Sequence, residues 1–159
     1  MRTLTKPERV SRDTVEAFYE AYTARDLVKL GALLDDDAVW TINGPVELLQ
    51  FCGERRGKTA VLDMVGRLVP EVFEITGFAA DTMLIDDDRA ASLNRLTGRR
   101  AADGRKISYR VATFVRFRGG KVVEYCSVID SFDAAEQVLG QPFTLADRMT
   151  ASDGTLVAI

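Results

Sequence analysis

Hydrophobic positions along the first seventy residues recur at helical spacing, and after that they fall on every second position. Over residues 13–24, Val15, Phe18, Tyr19 and Tyr22 share one face of a 3.6-residue repeat, and Asp13 with Glu16 has the spacing of a capping box, so the pattern predicts an amphipathic helix. Asp26 is placed to cap a second, shorter helix carrying Leu27, Leu30, Leu33 and Leu34, which stops at the acidic run Asp35 to Asp37. AVWTIN reads as a short strand halted by Gly44-Pro45, and VELLQFCGERRG reads as a loop. A third helix over about 58–69 presents Val61, Met64, Val65 and Leu68, and Pro70 is expected to end it because its ring carries no N–H.

From residue 72 the alternation predicts four strands, near 72–85, 90–100, 106–118 and 121–132, separated by DDDR, AADG and RGG. In the third, Ile107, Tyr109, Val111, Thr113, Val115 and Phe117 lie on one face while Ser108, Arg110, Arg116 and Arg118 occupy the other. Gly77 interrupts the first of the four, where a glycine marks a bulge or bend in a curved sheet. A short helix over 134–139 ends at Gly140, with Asp133 and Glu136 at capping-box spacing, and the tail QPFTLADRMTASDGTLVAI has no clear period. Three helices and a short strand followed by four long strands predict one α+β domain, with helices covering one face of a curved antiparallel sheet.

Composition changes this picture mainly by exclusion. The 159 residues suit one domain with a real core, and a net charge of −3 offers no basic field for nucleic acid. No apolar run is long enough to span a membrane and the start, MRTLTKPERVSRD, is polar, so a cytoplasmic location and no membrane partner are expected. Cys52 and Cys126 form no CxxC and are expected as free thiols. The chain has no histidine, so it lacks the usual neutral-pH base and the commonest metal ligand, and no metal site or cofactor is expected. GERRGKT is not a phosphate-binding loop, because Gly53 and Gly57 enclose three residues rather than four and no strand precedes them.

The element order, the segment DDDAVWTINGP, the GERRGKTAV entry to the third helix and the ending VVEYCSVIDSFDAAEQVLG resemble the SnoaL-like branch of the nuclear transport factor 2-like superfamily over residues 10–140. The resemblance implies a cone closed at one end, with a flexible arm 1–10, a cone domain 11–140 and a tail 141–159. Its interior would hold a small, largely apolar molecule, and the outward face of the sheet would form a homodimer. Related families suggest chemistry that this chain matches incompletely. Where ketosteroid isomerase has a tyrosine, an aspartate base and a protonated aspartate, this chain has Phe18, Asn43 and Thr113. Limonene epoxide hydrolase implies Asn43 as a water holder, Arg95 as its arginine and Asp130 as its base, but Thr97 stands where its acid belongs. Polyketide cyclases pair a histidine with an aspartate, and only the aspartate, Asp130, has a counterpart.

The resemblance therefore implies Asp130 as a general base among Val128, Ile129 and Phe132, with Asn43 and Arg95 orienting water or an oxyanion. Phe18, Tyr22, Trp40, Thr113 and Val128 would line the pocket. A lyase, isomerase or hydrolase and a non-catalytic ligand-binding or dimeric module both remain open. So do plainer roles: Asp130 bonding a backbone N–H, Arg95 as an outward strand charge, Asn43 as a turn residue, and the aromatics as core.

Overall fold

The computed structural model describes residues 9–142, so most of the expected arm and tail lie outside the described residues. In chain order the elements are α1 (Arg12–Thr23), α2 (Leu27–Leu33), β1 (Leu34–Asn43), β2 (Gly53–Arg56), α3 (Lys58–Asp63), a π-helical turn (Met64–Leu68), α4 (Val69–Val72), β3 (Phe73–Asp86), β4 (Arg89–Arg100), β5 (Lys106–Arg118), β6 (Lys121–Ile129) and α5 (Ser131–Leu139). The strands form one curved sheet in the order β2-β1-β6-β5-β4-β3. Neighbours pair antiparallel except β1 with β6, which run parallel because the helices and β3 to β5 intervene between them. This is the α+β cone that the patterning and the resemblance predict.

The bend at Gly77 is present: the β3–β4 register shifts between Ile75 and Gly77, and again between Ala80 and Thr82. A side chain at Gly77 would meet Thr97 Oγ1 at 2.7 Å, so the bulge brings the strands too close for a Cβ. Curvature exposes one face and encloses the other. Even positions of β4 and odd positions of β5 and β6 point inward, where Leu96, Tyr109, Val115, Tyr125 and Ile129 are buried. Helix α1 lies across this concave face and buries Val15, Phe18, Tyr19 and Tyr22, as its stripe predicts.

Several boundaries differ from the sequence reading. Ser11, not Asp13, caps α1, accepting from Thr14 N at 3.1 Å. Asp26 does cap α2, accepting from Lys29 N at 3.0 Å. Pro70 does not end the third helix: helical backbone continues to Val72 through the π turn, where Val69 N–H reaches back to Met64 O. A turn widened by one residue accommodates the ring, and Pro70 then sits at the start of a new helical segment, where a missing N–H costs little. GERR, read as loop, is the edge strand β2, paired with Val39–Ile42. At the other end Arg9 and Val10 are docked, with Val10 N–H donating to Asp87 O at 2.8 Å.

Helix α5 closes the end of the sheet where β6 has stopped. The β5–β6 pairing begins only at Val111 with Ile129, which leaves Ser108 without a strand partner on that side. The Gln137 amide replaces it, accepting from Ser108 N at 2.6 Å and donating to Ser108 O at 2.7 Å. Gly140 then ends α5 in the left-handed conformation at φ 76°, the usual helix stop.

Candidate functional site

The concave face carries polar groups at positions where a plain core would be apolar. Ser92, Asn94, Thr113 and Ser127 are buried, as are the chain's four tyrosines. Three of these hydroxyls close a ring: Tyr19 Oη lies 2.5 Å from Thr113 Oγ1 and 2.9 Å from Ser92 Oγ, which are themselves 2.7 Å apart. Each hydroxyl can donate once around such a ring. The Asn94 amide adds donors to Ser92 Oγ at 2.9 Å, Val111 O at 3.2 Å and Thr113 Oγ1 at 3.3 Å. This knot ties α1 to β4 and β5, and its donors are spent.

Beyond the knot, Tyr22, Ile42, Phe51, Phe78, Tyr109 and Tyr125 are among the walls of a cavity of about 20 Å³. That is room for about one water molecule. The hydroxyls of Tyr22 and Tyr109 make no hydrogen bond to any described residue. Burial raises the Tyr22, Tyr109 and Tyr125 phenols well above their usual range, and it pushes the Cys52 thiol up to about 11 against the pull of Arg55. Every one of these groups is neutral at pH 7. No charged side chain lines the cavity. Tyr22, Val69 and Phe73 also line an outer crevice of about 80 Å³ with Arg25 and Glu74, so three side chains separate the interior from the surface. The π turn ends directly before one of them, Val69.

The residues singled out from the sequence are not brought together. Tyr22 lines the cavity, whereas Phe18 and Trp40 are packed behind it: Phe18 sits 5.9 Å from the Trp40 ring, and Trp40 stacks on Tyr125 at 3.7 Å. Trp40 Nε1 is buried without a partner among the described residues, as is Asn94 Oδ1. Thr113 belongs to the hydroxyl knot. Val128 is corrected from pocket wall to outer face: it is 49% exposed, because inward positions of β6 are odd-numbered. Arg95 likewise faces outward, opposite Arg110 on β5, since β4 turns its even positions inward.

Asn43 is exposed at the end of β1, where its amide donates to Ser127 O at 2.9 Å and meets Cys126 Sγ at 3.3 Å. Asp130 is exposed too, and it is the N-cap of α5. Its N–H donates to Arg110 O, its carbonyl accepts from Ala134 N at 2.8 Å and its carboxylate accepts from Asp133 N at 3.4 Å. The capping assignment is thus corrected: Asp133 lies within the first turn, where its carboxylate accepts from the Gln137 amide at 2.6 Å.

Tyr109, Ser92 and Asn94 were not singled out as site residues. For Tyr109 the signal was present in the clean alternation of β5, and for Ser92 and Asn94 it was polarity at two successive inward positions of β4. Among the described residues no cluster of Asp, Glu and Cys is arranged to hold a metal ion, and no helix is long and apolar enough to cross a membrane.

Residues 15–125 match the SnoaL-like domain family. Among solved structures, the chain is similar to a protein from Rhodopseudomonas palustris provisionally called an isomerase, at 32% identity and a TM-score of 0.75, covering 80% of this chain and 97% of that one. It is also similar in fold to TerC co-crystallised with polyporic acid (16% identity, TM-score 0.70, covering 80% and 96%). A third is a Catenulispora acidiphila protein of ketosteroid isomerase-like fold in complex with trimethylamine (15%, TM-score 0.68, covering 85% and 99%). No curated protein matches the sequence.

Proposed function

From the premise that the chain belongs to the SnoaL-like domain family, we propose that it binds a small, largely apolar molecule inside its cone, at the cavity bounded by Tyr22 and Tyr109. The observation that carries this reading is the cavity itself, whose walls combine mostly apolar side chains with Tyr22, Tyr109, Tyr125 and Ser127 and include no charged group. Apolar walls carrying a few hydroxyl groups are the usual lining of a site for a small molecule. Similar folds from C. acidiphila and TerC are seen with organic molecules, which supports the same use here.

Binding is favoured over turnover by a base at Asp130, whose carboxylate is exposed and caps α5. Isomerisation is the second reading, favoured by the R. palustris relative; the Tyr22 and Tyr109 hydroxyls would then stabilise a developing oxyanion. The outward sheet face supports homodimerisation, because exposed Leu84, Phe114 and Val128 sit beside a rim bearing both signs, Asp86 and Glu124 with Arg89 and Arg116. Such a patch can meet its own copy across a two-fold axis. The two free cysteines suit a reducing compartment such as the cytoplasm.

Native mass spectrometry of the purified full chain, followed by denaturing release, is expected to show a copurified molecule of a few hundred daltons or less. In parallel, neutral apolar fragments should shift the aromatic NMR signals of Tyr22 and Tyr109. Fragments that perturb only outward residues such as Phe114 would sink the interior reading.

A further inference from the structure

Many cations on the described surface are held in ion pairs: Arg67 with Asp63, Arg100 with Asp103, Arg116 with Glu124 and Arg118 with Asp35. Arg95, Arg99, Arg105, Lys106 and Arg110 form none among the described residues, and they gather at one end of the outward face of β4 and β5 and in the turn joining those strands. The register makes the crowding specific. Arg95 stands directly opposite Arg110 and Arg99 directly opposite Lys106, with Thr97 and Ser108 paired between these two rungs. Opposed residues on one face have Cβ atoms about 5 Å apart, where like charges repel. Nearby carboxylates do not answer them. Glu74 is opposite Arg99 on β3 without an ion pair to it, Asp130 caps α5, Asp133 accepts from Gln137, and Glu136 adjoins Arg105 and Lys106 without an ion pair to either.

At the Arg99–Lys106 rung the surface forms a groove of about 470 Å³, with Thr76, Thr97, Arg99, Lys106, Ser108 and Gln137 among its walls and no carboxylate on them. That volume suits a small organic molecule. Arg99 spends one N–H on Gly104 O at 3.5 Å, whereas the Lys106 ammonium and the Ser108 hydroxyl bond no described residue. The other polar walls are committed: Thr97 donates to Gly77 O at 3.4 Å, and Gln137 holds the Ser108 backbone.

We propose that this groove binds the phosphoryl dianion of a small organic phosphate, held by Arg99, Lys106 and the Ser108 hydroxyl. A dianion set between two opposed cations turns their mutual repulsion into a shared attraction, and its three terminal oxygens accept from a guanidinium, an ammonium and a hydroxyl at once. A carboxylate brings half the charge and one oxygen fewer. The site lies at the opposite end of β4 and β5 from Leu84 and Phe114 and outside the cone, so it stands or falls independently of the interior cavity.

The test titrates phenyl phosphate, inorganic phosphate, methyl phenyl phosphate and benzoate into the full chain at about pH 7.5, where a phosphate monoester is a dianion, followed by calorimetry and by the amide NMR signals of Lys106 and Ser108. Phenyl phosphate is expected to bind and to move those signals, with the monoanionic diester and benzoate about tenfold weaker. Inorganic phosphate binding as tightly as phenyl phosphate would assign the site to the free ion and overturn the organic ligand. Arg99→Gln and Lys106→Gln remove exposed charges, so both variants should fold, and each should weaken phenyl phosphate about three- to tenfold. Lys121→Gln removes the same charge from a cation that is also unpaired but begins β6, and it should change affinity by less than about twofold. Equal losses in Lys106→Gln and Lys121→Gln would reduce the binding to diffuse attraction and overturn the site. A diester or benzoate that binds as tightly as phenyl phosphate overturns the selection for a dianion, and signals at Lys106 and Ser108 that no phosphate moves overturn the proposal outright.

Discussion

Two tyrosines one helical step apart on the sheet side of α1 do different work. Tyr19 spends its hydroxyl on Ser92 and Thr113, whereas Tyr22 has no described partner for its own. Tyr19→Phe strands a buried serine or threonine hydroxyl, so it is expected to cost about 1–3 kcal/mol in urea unfolding, roughly 2–4 °C of Tm per kcal/mol for a chain of this size. Tyr22→Phe is expected to lie within about 0.5 kcal/mol of the parent, or slightly above it. Equal losses in the two variants would mean that the Tyr22 hydroxyl is already satisfied. Arg25, which follows α1, provides a second residue-scale test. It holds φ at 51°, a left-handed conformation that suits glycine, and it forms no ion pair among the described residues. Arg25→Gly should therefore raise stability by about 0.5–1 kcal/mol, read from the denaturant midpoint; a loss would show that its side chain contributes at the mouth of the crevice.

Among elements, α5 shows how a local pattern can be read twice. Asp130 and Asp133 stand three residues apart, and each has an acidic residue three further on, so either could begin the helix. The choice is made by β6, which ends at Ile129 and leaves Asp130 as the first residue free to cap. Asp130→Ala is expected to destabilise the chain by about 0.5–2 kcal/mol and to speed amide exchange in the first turn of α5. Unchanged exchange there would remove the capping role. The long strands were legible because β5 alternates cleanly over thirteen residues. The face of β4 was not, because Ala91 and Leu93 lie outward while Ala90 and Leu96 lie inward. Apolar residues on both parities leave the direction of Arg95 undetermined until its pairing with Arg110 is known. β2 escaped notice because GERR is charged on both faces, as an edge strand can be. The cavity itself was only half legible: resemblance supplied the idea of an interior site, but which tyrosine hydroxyls are spent depends on distances between α1, β4 and β5 that no local pattern encodes.

At the scale of the whole molecule, the inside and the outside make separate demands. The outward face carries Phe114 at 55% exposure beside a groove of about 310 Å³, so Phe114→Asp is expected to shift the particle from dimer to monomer in light scattering while leaving the fold intact. A parent that is monomeric at all concentrations would overturn the dimer proposal. The interior governs the response to pH. With no histidine in the chain, none of the side chains titrates at its ordinary value between about pH 5 and 8, and stability should be nearly flat there. On the acid side, Asp103 is held below its usual range by Arg100, Asp63 by Arg67 and Asp36 by Lys58. Carboxylates held down in the fold add stability above their ordinary value of 3.8, and this is lost as pH falls through their folded values. Being fully exposed, they should give a gentle decline. On the alkaline side the sign reverses. Cys52 and all four tyrosines are raised by burial from 9.0 and 10.0, so the folded state holds protons that the unfolded state would release. Their contribution is intact below about pH 9 and is lost as pH climbs through the raised values. Since no tyrosine is on the surface, tyrosinate absorbance near 295 nm should stay low past pH 10 and then rise together with the loss of Trp40 near-ultraviolet dichroism, in one cooperative step. Tyrosinate appearing near pH 10 while the dichroism persists would mean that at least one phenol is in contact with solvent, and Tyr22 or Tyr109, at the cavity, would be the first to examine.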